Sequence, residues 1–75
     1  MKNRGHTREF TVLIEKDEDD LLIATVPALR GCHTQAKNLS TLMKRIKEAI
    51  LLCLEVEKEP PQLKFVGVQE IGIPA

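Results

Sequence analysis

The spacing of hydrophobic and polar positions changes along the chain and divides its first half into distinct elements. Phe10, Val12 and Ile14 occupy every second position, which is the period of a half-buried strand. Four consecutive acids at residues 17–20 follow and predict a solvated hairpin tip. The nearly continuous apolar run at residues 21–26 predicts a second strand. That strand is either central and covered on both faces, or has one face used by a partner.

Residues 26–35 are the most informative stretch, because no catalytic motif elsewhere in the chain competes with them. Pro27 has no N–H to donate to a ladder, so the second strand is expected to end there. Gly31 permits a tight turn. Residues 32–36 then predict a short third strand.

The strongest periodic pattern is helical. Asn38 or Ser40 is expected to accept a hydrogen bond from the first turn, and the prolines at positions 60 and 61 are expected to stop the helix. The apolar residues at three- and four-residue spacing are Leu39, Leu42, Met43, Ile46, Ala49, Ile50, Cys53 and Leu54.

The apolar sector of this predicted helix is wider than one buried stripe requires. Leu51, Leu52 and Val56 supply the excess. Burial under neighbouring strands and contact with a second copy of the chain both explain it, and the sequence leaves both open.

The last part of the chain predicts a fourth strand at residues 64–71, with Val66 and Val68 on one face and Phe65 on the other. The predicted order is β-β-β-α-β, an α+β fold with one helix packed on a small, mostly antiparallel sheet. We expect one domain over residues 9–75 behind a flexible N-terminus at residues 1–8.

Composition narrows the classes of function. The 75 residues include 11 basic and 11 acidic side chains, so the chain lacks the positive charge of a dedicated nucleic-acid binder. The first nine residues have no apolar core, and no apolar run approaches the roughly 20 residues that span a bilayer. Two cysteines do not make a disulfide scaffold. These features predict a cytoplasmic protein with reduced thiols and no membrane partner.

Candidate chemistry centres on Cys32 and His33, which are adjacent. Neighbouring residues on a strand point to opposite faces, so Cys32 is expected in the core and His33 at the surface, and the two should not form a catalytic pair. A zinc site needs three or four convergent ligands, for which only His6 and Cys53 remain. The acids at residues 17–20 lack the spacing of a calcium loop. We therefore assign no catalytic, metal or cofactor residue and expect a non-enzymatic protein that acts by contact.

The ordered residues from position 14 onward resemble the HicB-like antitoxins. The chain has an acidic hairpin, then Ala24-Thr25-Val26-Pro27-Ala28-Leu29-Arg30-Gly31-Cys32-His33-Thr34-Gln35, and later Ile46-Lys47-Glu48-Ala49-Ile50. The likeness extends over residues 10–55, with a matching last strand at residues 65–70.

This resemblance implies a partial ribonuclease-H-like fold without the catalytic carboxylates. It implies a protein that binds a HicA-like toxin, a small messenger-RNA-cleaving ribonuclease, and covers its active site. It also implies a homodimer or a higher homo-oligomer. The family often carries a C-terminal DNA-binding domain; none is expected here after the predicted fourth strand, so DNA binding is not expected.

Strand alternation suggests which residues such a partner would contact. Leu29, Arg30, His33 and Gln35 are expected on the exposed side of the motif. The alternative function is a nucleic-acid-binding or nucleic-acid-processing domain that uses the ribonuclease-H-like sheet directly, and it rests on fold analogy alone.

Overall fold

The computed structural model describes residues 7–74 and has the element order β1-β2-β3-α1. The strands are β1 (Leu13–Lys16), β2 (Leu22–Thr25) and β3 (His33–Ala36), and the helix α1 is Leu39–Val56. The strands form one antiparallel sheet with β2 in the centre. This confirms the α+β class, the first four predicted elements and the central place of β2. The expectation of a loose N-terminus falls mainly on residues 1–6, which lie outside the described residues.

The acidic hairpin tip between β1 and β2 is organised by its first residue. The Asp17 carboxylate accepts hydrogen bonds from the backbone N–H groups of Asp19 and Leu21, both at 2.9 Å. The Asp17 N–H donates to the Leu21 carbonyl at 2.9 Å. Asp20 adopts a φ of 64°, a left-handed conformation that aspartate tolerates better than most residues. The predicted turn is confirmed. The Asp17 carboxylate also orders the turn by accepting hydrogen bonds from its backbone.

One hydrophobic core lies between the sheet and the helix, which contacts β2 and β3. Ala24 is at its centre, opposite Ile14 on β1 and Thr34 on β3. Phe10 and Val12, just before β1, pack against the core as partly buried side chains. The fully buried members are Ala24, Val26, Leu29, Cys32, Ala36, Leu42 and Ile46.

The helix begins at a defined cap. The Asn38 side chain accepts a hydrogen bond from the Thr41 N–H at 2.8 Å, which satisfies one of the free donors of the first turn. Of the two predicted candidates, Asn38 is therefore the cap, and Ser40 lies inside the helix. The helix ends at Val56, where the Glu57 N–H donates to the Cys53 carbonyl at 2.9 Å.

The predicted fourth strand at residues 64–71 is not formed. Residues 60–74 contain no helix, strand, turn or bend, and no backbone–backbone hydrogen bond among the described residues involves them. A strand exists by pairing with a neighbour, and this segment has none in the described part of the chain. The prediction was wrong because alternation of side chains reports an extended backbone, not the presence of a pairing partner.

Candidate functional site

The loop that leads from β2 to β3 is held by its own backbone. The N–H of Val26 donates to the Cys32 carbonyl at 2.9 Å, the N–H of Leu29 to the Val26 carbonyl at 3.1 Å, and the N–H of Cys32 to the Leu29 carbonyl at 3.2 Å. Gly31 has a φ of +69°, a conformation that glycine adopts without steric cost. The motif found in the sequence is thus a rigid connection with its apolar residues turned inward.

Three of the four predicted contact residues lie at the surface of this motif. Arg30, His33 and Gln35 are exposed. Leu29 is 2% exposed and belongs to the core, so its expected place on the exposed side is wrong. The hydrogen bonds that tie Leu29 to Val26 and Cys32 turn its side chain inward, and strand alternation does not apply in a turned loop.

Cys32 and His33 lie on opposite sides of the sheet, as predicted. Cys32 is buried and His33 is exposed. Burial, with smaller contributions from a hydrogen bond and a charge interaction with Cys53, raises the pKa of the Cys32 thiol from its ordinary 9.0 to about 11. A thiol with such a pKa is protonated near neutral pH, which is the opposite of what a nucleophilic cysteine needs.

The backbone at the end of β3 is linked to the helix. The Arg45 guanidinium donates a hydrogen bond to the Gln35 carbonyl at 2.8 Å. This contact ties the backbone at the end of β3 to α1.

The helix exposes large apolar side chains that the core does not use. Leu51, Leu52 and Val56 are 65%, 64% and 89% exposed. Leu39 and Met43, in the first part of the helix, are exposed as well. Burial under the strands of the described chain therefore does not account for the wide apolar sector.

A cleft of about 950 Å³ separates the two ends of the described chain. One wall is residues 7–11 with Leu13 at the start of β1, and the other is residues 59–68. Pro27 and Ala28 of the motif also line it. At its base, the Arg8 guanidinium lies 5.6 Å from the centre of the Phe10 ring and donates to the Lys58 carbonyl at 3.3 Å. Sequence reasoning missed this cleft, because it depends on the unpaired state of residues 59–68.

Residues 7–74 offer neither a metal-binding cluster nor a membrane-spanning helix. No group of three or more His, Cys, Asp or Glu side chains in this range is arranged to hold a metal ion; His6 lies outside it. The helix in this range does not combine the length and the apolarity that crossing a membrane requires.

Comparison with known proteins gives a consistent set of relatives. A UPF0150 protein of Archaeoglobus fulgidus is 52% identical over 87% of this chain and 94% of its own length. UPF0150 proteins of Synechocystis and Thermoplasma acidophilum are 42% and 38% identical, over 88% and 89% of this chain and 96% and 99% of their own lengths. No family model matches the chain. The relatives' names give a family and no activity.

Proposed function

The chain belongs to the UPF0150 family, and from its exposed surface we infer that it is an antitoxin-like protein that binds and covers a HicA-like toxin ribonuclease. The observation that carries this proposal is the apolar surface of α1 that the core leaves exposed, together with the ordered motif of residues 24–35. A surface with several large apolar side chains that the core does not need is typical of a protein-binding site. The resemblance of the motif to HicB-like antitoxins supplies the kind of partner.

The polar part of the proposed contact is the exposed side of the motif. The backbone around Arg30, His33 and Gln35 is ordered by the loop hydrogen bonds and by the bond from Arg45 to the Gln35 carbonyl. A preordered surface loses little conformational entropy when a partner binds. The mechanism is occlusion: the bound chain covers the messenger-RNA surface of the ribonuclease and contributes no reacting group.

The test is binding to a HicA-like ribonuclease encoded beside this chain's gene. Co-expression should relieve the growth arrest caused by the ribonuclease, and the two proteins should purify together. An Arg30→Glu/Leu52→Asp variant should bind at least tenfold more weakly, because it places charges in both parts of the surface. Glu18→Lys, at the exposed hairpin tip, is the matched control and should bind normally. Growth arrest that persists with the wild-type chain would refute the antitoxin role. Equal binding by the double variant and the wild type would refute the proposed contact surface.

A further inference from the structure

We propose that two copies of this chain exchange their C-terminal segments, so that residues 63–73 of each copy leave the wall of their own cleft and pair with the free edge of β1 in the other copy. The proposal concerns the chain by itself and does not depend on toxin binding.

The donor is a segment prepared for pairing that has no partner. Its large apolar side chains are between 57% and 93% exposed. Its backbone groups make no backbone–backbone hydrogen bond within the described part of the chain. Residues 60–74 contain no bend, and fifteen extended residues span at most about 50 Å. The molecule measures 52 Å in its longest dimension, against 26 and 23 Å in the other two. The exposed apolar residues of the segment are Leu63, Phe65, Val66, Val68, Ile71 and Ile73.

Each copy also carries an acceptor for such a segment, which is the outer edge of β1. Among the described strands β1 pairs with β2 alone, so its outer edge is open. The residues just before β1 line the cleft, and Thr11 makes no backbone–backbone hydrogen bond in the described structure. An open edge next to a cleft is the geometry that accepts an added strand, with main-chain hydrogen bonds for affinity and the cleft for alternate side chains.

The amount of exposed surface favours a second copy as the occupant. The chain exposes 6494 Å², whereas a compact monomer of its mass exposes roughly 4600 Å². Even if the residues outside 7–74 were counted as fully extended, roughly 1000 Å² of excess surface would remain. A stable interface takes roughly 800 Å² from each partner, so the excess is about what one dimer interface needs.

One donor segment and one acceptor edge per chain satisfy each other in a twofold dimer and leave neither unpaired. A different partner would satisfy the segment but leave the edge of β1 open.

Sedimentation of the purified chain, without any toxin, tests the exchange. The wild type should have twice the monomer mass of 8.4 kDa. Val66→Asp should weaken dimerisation at least tenfold, because it buries a charge in the exchanged strand. Ser40→Asp adds the same charge at an exposed position in the first turn of α1, outside the cleft, and should remain dimeric. A monomeric wild type, or a Val66→Asp variant that dimerises as well as the wild type, would overturn the proposal.

Mixing separates exchange from closure of each segment on its own chain. Thr11→Pro removes an N–H just before β1 and should also weaken dimerisation at least tenfold. In an equimolar mixture of the two variants, Thr11→Pro supplies an intact donor segment and Val66→Asp supplies an intact acceptor edge. A dimer of one copy of each should therefore form. If the mixture stays monomeric, exchange is refuted.

Hydrogen exchange of the wild-type amides tests the same exchange without any variant. The amides of residues 63–73 should be protected when the protein is concentrated and should lose protection on dilution to monomer. Protection that persists in the monomer would show closure on the chain's own edge and overturn the proposal. Protection that appears only when a HicA-like ribonuclease is added would also overturn it, since the segment would then serve that partner.

Discussion

The backbone N–H of Val26 donates a hydrogen bond to the Cys32 carbonyl at 2.9 Å, and this bond closes the loop between β2 and β3. Leu29 lies inside the loop and bonds to both residues through its own N–H and carbonyl. The side chains of all three are buried. The motif is therefore fixed twice, by backbone hydrogen bonds within the loop and by packing on the core below it.

Gly31 provides the conformation that this loop needs. Its φ is +69°, and a Cβ added there would meet nothing within 4 Å. The cost of Gly31→Ala is therefore conformational, and we expect the free energy of unfolding to fall by about 1–2 kcal/mol. Gly31→Asn should cost less, because asparagine tolerates this region better.

Urea denaturation measures these differences. Gly67→Ala is the matched control, since its added Cβ also meets open space and its φ is not positive. The control should unfold close to the wild-type midpoint. If Gly31→Ala and Gly67→Ala had the same midpoint, the left-handed turn would not be a requirement of the fold.

Asn38 stabilises the start of α1 through its side-chain oxygen. The oxygen accepts from the Thr41 N–H at 2.8 Å, so Asn38→Ala should lower the free energy of unfolding by about 1 kcal/mol. Asn38→Asp and Asn38→Ser retain an acceptor and should unfold close to wild type. Thermal or urea denaturation followed by helix circular dichroism measures the change. Equal loss in all three variants would point to a role of the amide N–H₂ group instead.

Much of the fold could be predicted because its signals are local. The three- and four-residue spacing around Leu42 and Ile46 predicts α1, and both side chains are buried as that spacing requires. The acids at residues 17–20 predict the hairpin tip, where the Asp17 carboxylate organises the turn. Each of these signals depends on residues close together in the chain.

The predictions fail where the pattern of side chains alone does not determine the outcome. Leu29 follows a proline in a loop, where the alternation of a strand no longer holds, and its hydrogen bonds to Val26 and Cys32 turn it inward. Residues 64–71 have the alternation of a strand, but pairing depends on an edge being offered, which the pattern does not report. The cleft could not be predicted for the same reason. The choice between Asn38 and Ser40 as the cap also needed the observed hydrogen bond.

Leu42 is the most informative core position of the helix. It is fully buried, so Leu42→Ala should lower the free energy of unfolding by about 2–5 kcal/mol through lost burial and the cavity left behind. This is a large share of the stability of a small domain. Met43→Ala, at the next and partly exposed helix position, should cost far less and is the matched control. Similar urea midpoints for the two variants would contradict the assignment of Leu42 to the core.

Cys32 makes the stability of the fold sensitive to alkaline pH. Burial holds the pKa of its thiol at about 11 in the folded chain, above the ordinary 9.0. The folded state therefore binds the thiol proton more tightly than the unfolded state does. The resulting contribution to the free energy of unfolding is fully present below pH 9.0 and is lost as the pH rises toward about 11. In that window the loss is at most about 1.4 kcal/mol for each pH unit. Urea midpoints of the wild type and Cys32→Ala at about pH 8 and about pH 10.5 measure it. The wild type should lose more stability than the variant between the two pH values, whatever the variant's starting stability. Parallel losses would show that the thiol ionises as easily in the folded chain as in the unfolded one, and that the burial of Cys32 does not control its protonation.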